Sequence, residues 1–262
     1  MNKAYRLLWN EQLNAWCVAP ECASGRGKRT SRRIMAALGA ALLAATAGPL
    51  TAADLAPGAL PSGGTVAAGQ AAIATSGTRM DITQSSQKAI INWQGFDIGS
   101  QAQVNFAQPN AAAVALNRVS GPNISRIEGQ LTASGQVFLV NLSGVIFGNG
   151  ARVNAGAFVA STLNIRDDDF LAGNYTFTGT GGTIENRGTI SAAPGGYVAF
   201  IAPKITNAGI VSAPQGTVAM GAGERVTLNF AGDRLVGLSV AAETLDTLIA
   251  TRESRLALWQ AE

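Results

Sequence analysis

A segment in the last third of the chain occurs twice, and this internal repeat restricts the fold more than any other feature. Residues 184–192 (IENRGTISA) recur as residues 205–213 (ITNAGIVSA), an offset of 21 positions. The flanking residues 194–199 (PGGYVA) recur as 214–219 (PQGTVA), at an offset of 20. A period near 20, built from short β-branched runs between Gly, Asn and Pro, is typical of one coil of a parallel β-helix. The sequence therefore predicts an all-β solenoid.

Stacked coils give each repeated position a defined neighbour. One coil cannot bury its inward Ile, Val and Leu side chains alone, so the next coil must cover them. The repeat places Asn186 over Asn207, where their amides can hydrogen-bond along the stack. It also places Gly188 over Gly209, and we expect glycine to supply positive φ at the corners. The chain from Asp54 onward would form about 10 coils, and an antiparallel sandwich is the alternative fold.

Two regions depart from the repeat. Residues 60–120 contain shorter strand-like runs, which we expect to form an amino-terminal β cap, because a bare β-helix end exposes unpaired backbone groups. Residues 243–252 (ETLDTLIATR) have their apolar positions at helical spacing and predict a small lateral helix. We assign residues 54–240 to the β-helix domain. Residues 241–262 are expected to begin a passenger or to form a truncated carboxyl-terminal extension.

Composition excludes most catalytic chemistry. The chain contains no histidine, which rules out mechanisms that need an imidazole base or a histidine-bound metal. The acidic residues are scattered, and the densest group, Asp167 to Asp169, is predicted to form a solvated loop. We therefore expect no enzyme activity, no catalytic residue, no metal and no cofactor. A β-helix enzyme that degrades polysaccharides is a less favoured alternative, because it needs clustered carboxylates.

The distribution of charge argues against a nucleic-acid partner. The net charge of +3 arises in residues 1–33, whereas the chain from Asp54 onward is slightly acidic. The basic residues therefore belong to a leader and not to a binding surface. Aromatic stacking platforms for bases are also missing from the body of the chain.

The leader has the anatomy of a secretory signal. A basic stretch precedes the apolar residues 34–47 (IMAALGAALLAATA), a run shorter than the roughly 20 residues that a membrane-spanning helix needs. Small residues at Ala45 and Ala47 form a cleavage site, and Ala53 ends a second acceptable one. Residues 34–53 are therefore predicted to be the hydrophobic core and cleavage region of a signal peptide that the Sec export machinery recognises.

The 33 residues before this run are more than a signal peptide needs. The spacing of Tyr5, Trp9, Leu13 and Trp16 predicts one face of a short helix. The whole stretch, MNKAYRLLWNEQLNAWCVAPECASGRGKRTSRR, resembles the extended signal-peptide region of very large Gram-negative exoproteins. Both cysteines of the chain lie in this stretch, so we expect an exported domain without disulfides.

A more specific resemblance begins at residue 117. The sequences NRVSGPNISRIEGQL (117–131) and GQVFLVNLSGVIFGNGARVNAGAFVASTLNI (135–165) are similar to the secretion domain of two-partner secretion exoproteins, such as filamentous haemagglutinin. The similarity continues through residues 170–177, 193–203 and 213–230. It implies a right-handed parallel β-helix of the haemagglutination-activity type. The partner that it implies is an outer-membrane β-barrel transporter with periplasmic POTRA domains.

The same resemblance implies a transporter-recognition turn. The family motif Asn-Pro-Asn-Gly corresponds to Asn141, Leu142, Ser143 and Gly144. Asn141 and Gly144 match it, and both residue types suit the backbone of a tight turn, whereas Leu142 and Ser143 depart from it. A first family motif, Asn-Pro-Asn-Leu, corresponds weakly to residues 108–111, where Pro109 and Asn110 agree.

These features predict a protein that is exported through the periplasm and becomes extracellular or associated with the cell surface. In the favoured hypothesis, the domain guides the chain to its transporter, and coils that stack outside the cell drive export without ATP. In the alternative hypothesis, the β-helix is itself an adhesin that binds host cell surfaces or glycans.

Overall fold

The computed structural model divides the chain into two units, residues 1–50 and residues 51–262. It describes residues 55–241 and, outside them, the backbone of the strands β1 (Tyr5–Asn10), β2 (Ala15–Pro20) and β24 (Ile249–Thr251). The predicted cleavage residues Ala45, Ala47 and Ala53 lie outside the described residues.

In the first unit, β1 and β2 pair as an antiparallel hairpin with Trp9 opposite Trp16. The prediction of a short helix across Tyr5, Trp9 and Trp16 is therefore wrong, and Leu13 lies outside the described residues. Apolar residues also occupy every second position from Tyr5 through Leu7 to Trp9. A two-residue period is that of a strand. Antiparallel pairing also gives the backbone N–H and C=O groups of both segments hydrogen-bond partners.

The second unit is a three-sided parallel β-helix. Its first sheet contains β4 (Ala71–Ser76), β5 (Arg79–Gln84), β7 (Gln103–Ala107), β10 (Gln130–Ala133), β13 (Arg152–Ala155), β17 (Thr189–Ala192) and β20 (Ile210–Ser212). Its second sheet contains β3 (Thr65–Ala68), β6 (Lys88–Trp93), β8 (Val114–Val119), β11 (Gln136–Asn141), β14 (Ala157–Ser161), β18 (Tyr197–Ala202) and β21 (Thr217–Ala222). Its third sheet contains β9 (Ser125–Ile127), β12 (Val145–Phe147), β16 (Thr183–Asn186), β19 (Lys204–Asn207) and β24.

The predicted parallel β-helix is confirmed. Strands of successive coils pair in parallel, and Ile190 lies opposite Val211 and Tyr197 opposite Thr217, at the two offsets of the sequence repeat. The predicted amino-terminal cap is present, because β3 and β4 pair antiparallel with β6 and β5, but it is shorter than the predicted range 60–120. The strands β5 to β8 belong to the coils, since β5 pairs in parallel with β7 and β6 with β8. The strands β3 and β4 cover the backbone edges that the first coil would otherwise expose.

Apolar side chains fill the interior of the helix in stacked layers. Phe147 and Phe200 stack with ring centroids 6.0 Å apart, and both are fully buried. The interior also contains a polar contact, since Trp93 donates a hydrogen bond to the buried side chain of Asn117 over 3.0 Å.

A second core lies on the outer face of the second sheet. Outward residues of its strands, such as Ile90, Leu116 and Phe138, are fully buried there. Two additions cover them: a lateral segment, residues 162–182, that leaves the coil between β14 and β16, and the hairpin of β22 (Arg225–Ala231) and β23 (Arg234–Val240). The lateral segment contains the helix α1 (Asp167–Ala172) and the strand β15 (Thr176–Thr178), which pairs with β22.

Three expectations need correction. Each long sheet has 7 strands, fewer than the 10 coils expected, because the lateral segment and the β22–β23 hairpin lie outside the coils. The predicted helix over 243–252 lies mostly outside the described residues, and its described part, Ile249–Thr251, is a strand that pairs with β19. Asp167, Asp168 and Asp169 form the first turn of α1 instead of a loop, where acidic residues complement the positive helix terminus.

Candidate functional site

The Asn141–Gly144 turn connects the second sheet to the third in the middle of the helix. Asn141 ends β11, and the backbone N–H of Gly144 donates to the carbonyl oxygen of Asn141 over 3.1 Å, which closes a β-turn. Gly144 has a φ of 132°, a conformation that side-chain-bearing residues rarely adopt. The backbone of the turn therefore requires glycine at position 144.

The side chain of Asn141 is buried and makes hydrogen bonds only within the domain. It is 1% exposed, and its Nδ2 donates to the carbonyl oxygen of Asn123 and to the Ser125 hydroxyl, each over 2.9 Å. Its Oδ1 accepts from the backbone N–H of Ser143 over 2.9 Å. The side chain thus joins its own turn to the corner of the preceding coil, and it has no surface to offer a partner.

The two positions that depart from the family motif face outward. Leu142 is 46% exposed, and Ser143 is partly exposed. The carbonyl oxygen of Leu142 accepts from the backbone N–H of Gly182, over 2.7 Å, in the following coil. The turn is therefore fixed to the coils on both sides while its central side chains remain accessible.

A surface groove of about 450 Å³ lies beside the turn, on the preceding coils. Polar and apolar groups contribute about equally to its lining. The lining residues are Ser62, Gln94, Gly95, Asp97, Ser120, Gly121, Pro122, Asn123 and Ile124. Ile124 is 43% exposed and belongs to the same corner as the turn, because a Cβ on Gly144 would lie 3.5 Å from Ile124 Cγ2. The sequence analysis missed this groove, although the SGPN stretch at 120–123 is a turn signal that indicates an exposed corner.

Pro109 and Asn110, the weak first motif, lie at a different corner. Both are exposed in the connection between β7 and β8. Asn110 Nδ2 donates to Gln87 Oε1, and Asn110 Oδ1 accepts from the Ala112 N–H over 3.0 Å. The Asn141 turn follows the opposite ends of the strands in this sheet, about 20 Å away at strand spacing. The structure therefore does not bring the two motifs together.

The neighbouring Gln108 organises that first corner, and the sequence analysis gave it no role. Its side chain is 9% exposed. Its Nε2 contacts the carbonyl oxygens of Ala113 and Gln136 at 3.1 and 3.0 Å, and its Oε1 accepts from the Gly135 N–H over 2.9 Å. Because these partners belong to successive coils, the buried Gln108 side chain links two neighbouring coils by hydrogen bonds.

Asn186 and Asn207 lie opposite each other in adjacent coils, and Asn186 Nδ2 donates to Asn207 Oδ1 over 2.8 Å. Gly188 and Gly209 also lie in adjacent coils, and the Ile210 N–H donates to the Gly188 carbonyl oxygen over 2.8 Å. The expected positive φ at these two glycines is wrong, because neither has one. Glycine is needed here for close approach, since a Cβ on Gly209 would clash with the Gly188 carbonyl oxygen.

The described residues offer two further facts about function. No helix among them is long and apolar enough to span a membrane. No group of three or more histidine, cysteine, aspartate or glutamate side chains is placed among them to hold a metal ion.

Comparison with known families identifies two segments. Residues 58–259 match the model of the TPS secretion domain. Residues 1–50 match the model of the extended signal peptide of the type V secretion system. Together the two matches span most of the chain.

Individual relatives are similar over shorter stretches. The heme/hemopexin-binding protein of Haemophilus influenzae is 44% identical over 106 residues, which are 40% of this chain and 12% of that protein. The autotransporter adhesin NhhA of Neisseria meningitidis serogroup B is 48% identical over 46 residues, or 18% of this chain and 8% of that protein. The chain thus matches only a small part of these relatives.

Among solved structures, the HMW1 secretion domain from Haemophilus influenzae superimposes with a TM-score of 0.64 and 32% sequence identity. The superposition covers 72% of this chain and 50% of that structure. The similarity extends to the β-helix itself.

Proposed function

The chain belongs to the TPS secretion domain family, and on this premise we propose that it is the guiding part of an exoprotein exported by two-partner secretion. The leader, which matches the extended signal peptide of type V secretion, directs the chain through the Sec machinery into the periplasm. The β-helix domain then binds an outer-membrane transporter through that transporter's periplasmic POTRA domains. The single observation that carries the proposal is the family match over residues 58–259, a range that includes the β-helix and its amino-terminal cap.

We propose that the transporter captures the domain before it has fully folded, by adding one of its strands to the edge of a POTRA sheet. The chain passes outward as an open strand, and coils form one after another on the outside. Each large apolar side chain that a new coil buries, such as Phe158 or Val198, stabilises the folded side by about 2 kcal/mol. Folding outside the cell thus supplies a direction that needs no nucleotide.

The coil geometry supports this stepwise folding. Contacts between neighbouring coils join residues that lie close in sequence, as Ile184 does to Ile205 and Val137 to Phe158. Local contacts allow a repeat protein to add one unit at a time onto those already formed.

Within the domain, we propose that the Asn141–Gly144 turn is part of the surface that the transporter recognises. The Asn141 side chain holds this turn in place, so we expect Asn141→Ala to lower the stability of the domain by about 3 kcal/mol, because it leaves buried partners without hydrogen bonds. We expect its secretion to fall with its stability.

The test is co-expression of the full chain with a candidate transporter in a Gram-negative host that lacks others. The chain in the medium and in the periplasm is quantified with and without the transporter. Transporter-dependent appearance in the medium is expected, and its failure with every two-partner transporter tried would reject the proposed function.

Asn174→Ala, at an exposed asparagine of the lateral segment, is the matched control for Asn141→Ala. Secretion of Asn141→Ala at the wild-type level would reject the role of the turn alone.

A further inference from the structure

The hairpin of β1 and β2 has two faces of different composition. In an antiparallel pair, directly opposed residues lie on the same face, and successive residues of a strand alternate between the two faces. Trp9 lies opposite Trp16, and the register continues with Leu7 opposite Val18. One face, which we call the aromatic face, therefore consists of Tyr5, Leu7, Trp9, Trp16, Val18 and Pro20.

The other face contains no aromatic residue. Its opposed pairs are Arg6 with Ala19, Leu8 with Cys17 and Asn10 with Ala15. All three aromatic residues of the two strands thus share one side of the hairpin. A two-stranded hairpin alone is marginally stable in water, so a surface that receives the aromatic face would stabilise it.

The charge of the surrounding sequence indicates that this surface is anionic. Residues 1–33 contain seven basic and two acidic residues, and five of the basic ones lie between Arg26 and Arg33. Basic segments next to a membrane are attracted to anionic lipid headgroups. Trp and Tyr are enriched at the membrane–water interface, where they lie at the level of the headgroups. Both features fit the surface of an anionic bilayer.

The position of the hairpin in the chain places it beside a bilayer. The strand β2 ends at Pro20, and the apolar run that enters the membrane during export begins at Ile34. Residues 21–33 between them span at most about 50 Å even when fully extended. The basic residues before the run favour a cytoplasmic location for its amino-terminal side. The surface within reach of the hairpin is therefore the cytoplasmic surface of the inner membrane.

We propose that the aromatic face of the β1–β2 hairpin binds the cytoplasmic surface of the inner membrane, with Tyr5, Trp9 and Trp16 at the level of anionic lipid headgroups. Residues 26–33 contribute electrostatic attraction to the same lipids. This inference rests on one part of the proposed function, which is export of the chain through the Sec machinery. The contact involves only the two strands of the first unit, so it does not depend on any folded coil.

The test measures binding of the full chain, made by cell-free synthesis, to vesicles of phosphatidylglycerol and phosphatidylethanolamine. Vesicles of phosphatidylcholine are the uncharged comparison. All variants carry Leu42→Asn with Leu43→Asn, which interrupts the apolar run and lowers its own affinity for lipid. We expect Trp9→Ser with Trp16→Ser to bind the anionic vesicles at least about tenfold more weakly than this parent, because the bound face loses apolar area. Trp9→Phe with Trp16→Phe should retain most of the binding, and salt should weaken binding of the parent.

Leu8→Ser with Cys17→Ser is the matched control, because this opposed pair lies next to the tryptophan pair on the other face, and it should bind as the parent does. Equal weakening by the two serine variants would overturn the inference, and so would equal binding of the parent to anionic and uncharged vesicles. A photo-crosslinking amino acid at position 9 should form an adduct with lipid in cells, and an adduct with a targeting protein instead would also overturn it. The vesicles contain no transporter, so failure of transporter-dependent secretion would reject only the proposed function.

Discussion

At two corners of this β-helix, those of Gly209 and Gly216, close contact between coils requires glycine. A Cβ on Gly209 would meet the backbone of Gly188 and lie 2.8 Å from Asn186 Nδ2. The same applies to Gly216 above Gly196, where the contacting atoms are again backbone. Backbone atoms of a stacked coil cannot move aside without breaking the hydrogen bonds that define the stack.

We therefore predict that Gly209→Ala lowers the free energy of unfolding by about 2 kcal/mol, the usual cost of forcing a methyl group into a packed site. Denaturant titration of the domain measures this. Gly237→Ala is the control, because a Cβ there meets nothing within 4 Å and its φ is ordinary, so that its effect should be neutral or slightly stabilising. Equal losses for the two variants would contradict close approach as the reason for glycine.

A second prediction at this scale concerns alkaline pH. Burial raises the pKa of the Tyr197 hydroxyl well above its ordinary value of 10.0, and the nearby Tyr175 raises it further. Above pH 10 the unfolded chain loses a proton that the folded chain retains, so the free energy of unfolding falls as pH rises. Burial lowers the pKa of Lys88 from 10.5. The folded chain therefore loses this proton before the unfolded chain does, and the Lys88 contribution to the free energy of unfolding rises as pH approaches 10.5.

The comparison of Tyr197→Phe with wild type isolates the tyrosine. The variant loses the hydrogen bond from the Tyr197 hydroxyl to Gln136 Oε1, which costs about 1 kcal/mol at neutral pH. Its unfolding midpoint should then decline less steeply than that of wild type above pH 10. Parallel curves for the two proteins over this range would show that Tyr197 does not control the alkaline loss.

At the scale of elements, the lateral segment is held by residues far away in sequence. Lys88 Nζ donates to the carbonyl oxygens of Phe170 and Leu171, over 3.0 and 2.9 Å, at the end of α1. Arg118 donates to the Ile165 carbonyl oxygen over 2.6 Å and pairs with Asp167. Two cations from the first two coils thus hold a segment that leaves the helix at the fourth coil.

We predict that Lys88→Met loosens the lateral segment without unfolding the coils. Loss of the cation from the carboxyl-terminal end of α1 removes two hydrogen bonds and a favourable charge interaction. Limited proteolysis should cut residues 162–182 roughly tenfold faster, which corresponds to about 1.4 kcal/mol of local stability. Lys204→Met, at an exposed lysine of β19, should leave the cleavage rate unchanged. An unchanged rate for Lys88→Met as well would show that Lys88 does not hold the segment.

The sequence predicts the coils better than the additions to them. The repeat of residues 184–192 in 205–213 sets the pairing of β16 with β19 and of β17 with β20, because the same local pattern must bury the same inward positions. The lateral segment has no such signal. Its position depends on contacts such as Phe138 with Phe170, whose ring centroids are 6.0 Å apart, and no local periodicity encodes a contact between distant residues.

The candidate site also has some features that the local sequence predicts and others that depend on contacts between distant residues. Asn141 and Gly144 are identifiable from sequence because turn chemistry demands their residue types. The exposure of Leu142 and its proximity to Ile124 depend on the register of two coils, which becomes known only once the corner is built. Continuous apolar strands such as YVAFIA (197–202) indicate burial on both faces, but they do not reveal what covers the outer face.

At the scale of the whole molecule, the second core joins coils that otherwise contact only their nearest neighbours in the stack. The lateral segment leaves the fourth coil and covers outward residues of the earlier ones, and β15 then pairs with β22 of a later hairpin. A domain whose early coils are closed by late residues cannot complete its fold until most of its sequence is present. Completion of the second core is therefore the step that separates a chain able to thread through a pore from a closed domain.

A disulfide placed in this closure should stop export. Thr176 and Thr227 lie opposite each other in β15 and β22, with hydroxyl oxygens 3.0 Å apart, so Thr176→Cys with Thr227→Cys meets the geometry of a disulfide. Such a link closes a loop of about 50 residues and stabilises the closed form by about 4 kcal/mol. In the oxidising periplasm, the double variant should be secreted at least about tenfold less than either single variant, and a reductant should restore it. Secretion of the oxidised double variant at the wild-type level would mean that the closed lateral sheet passes the pore intact, which is incompatible with export of an open chain.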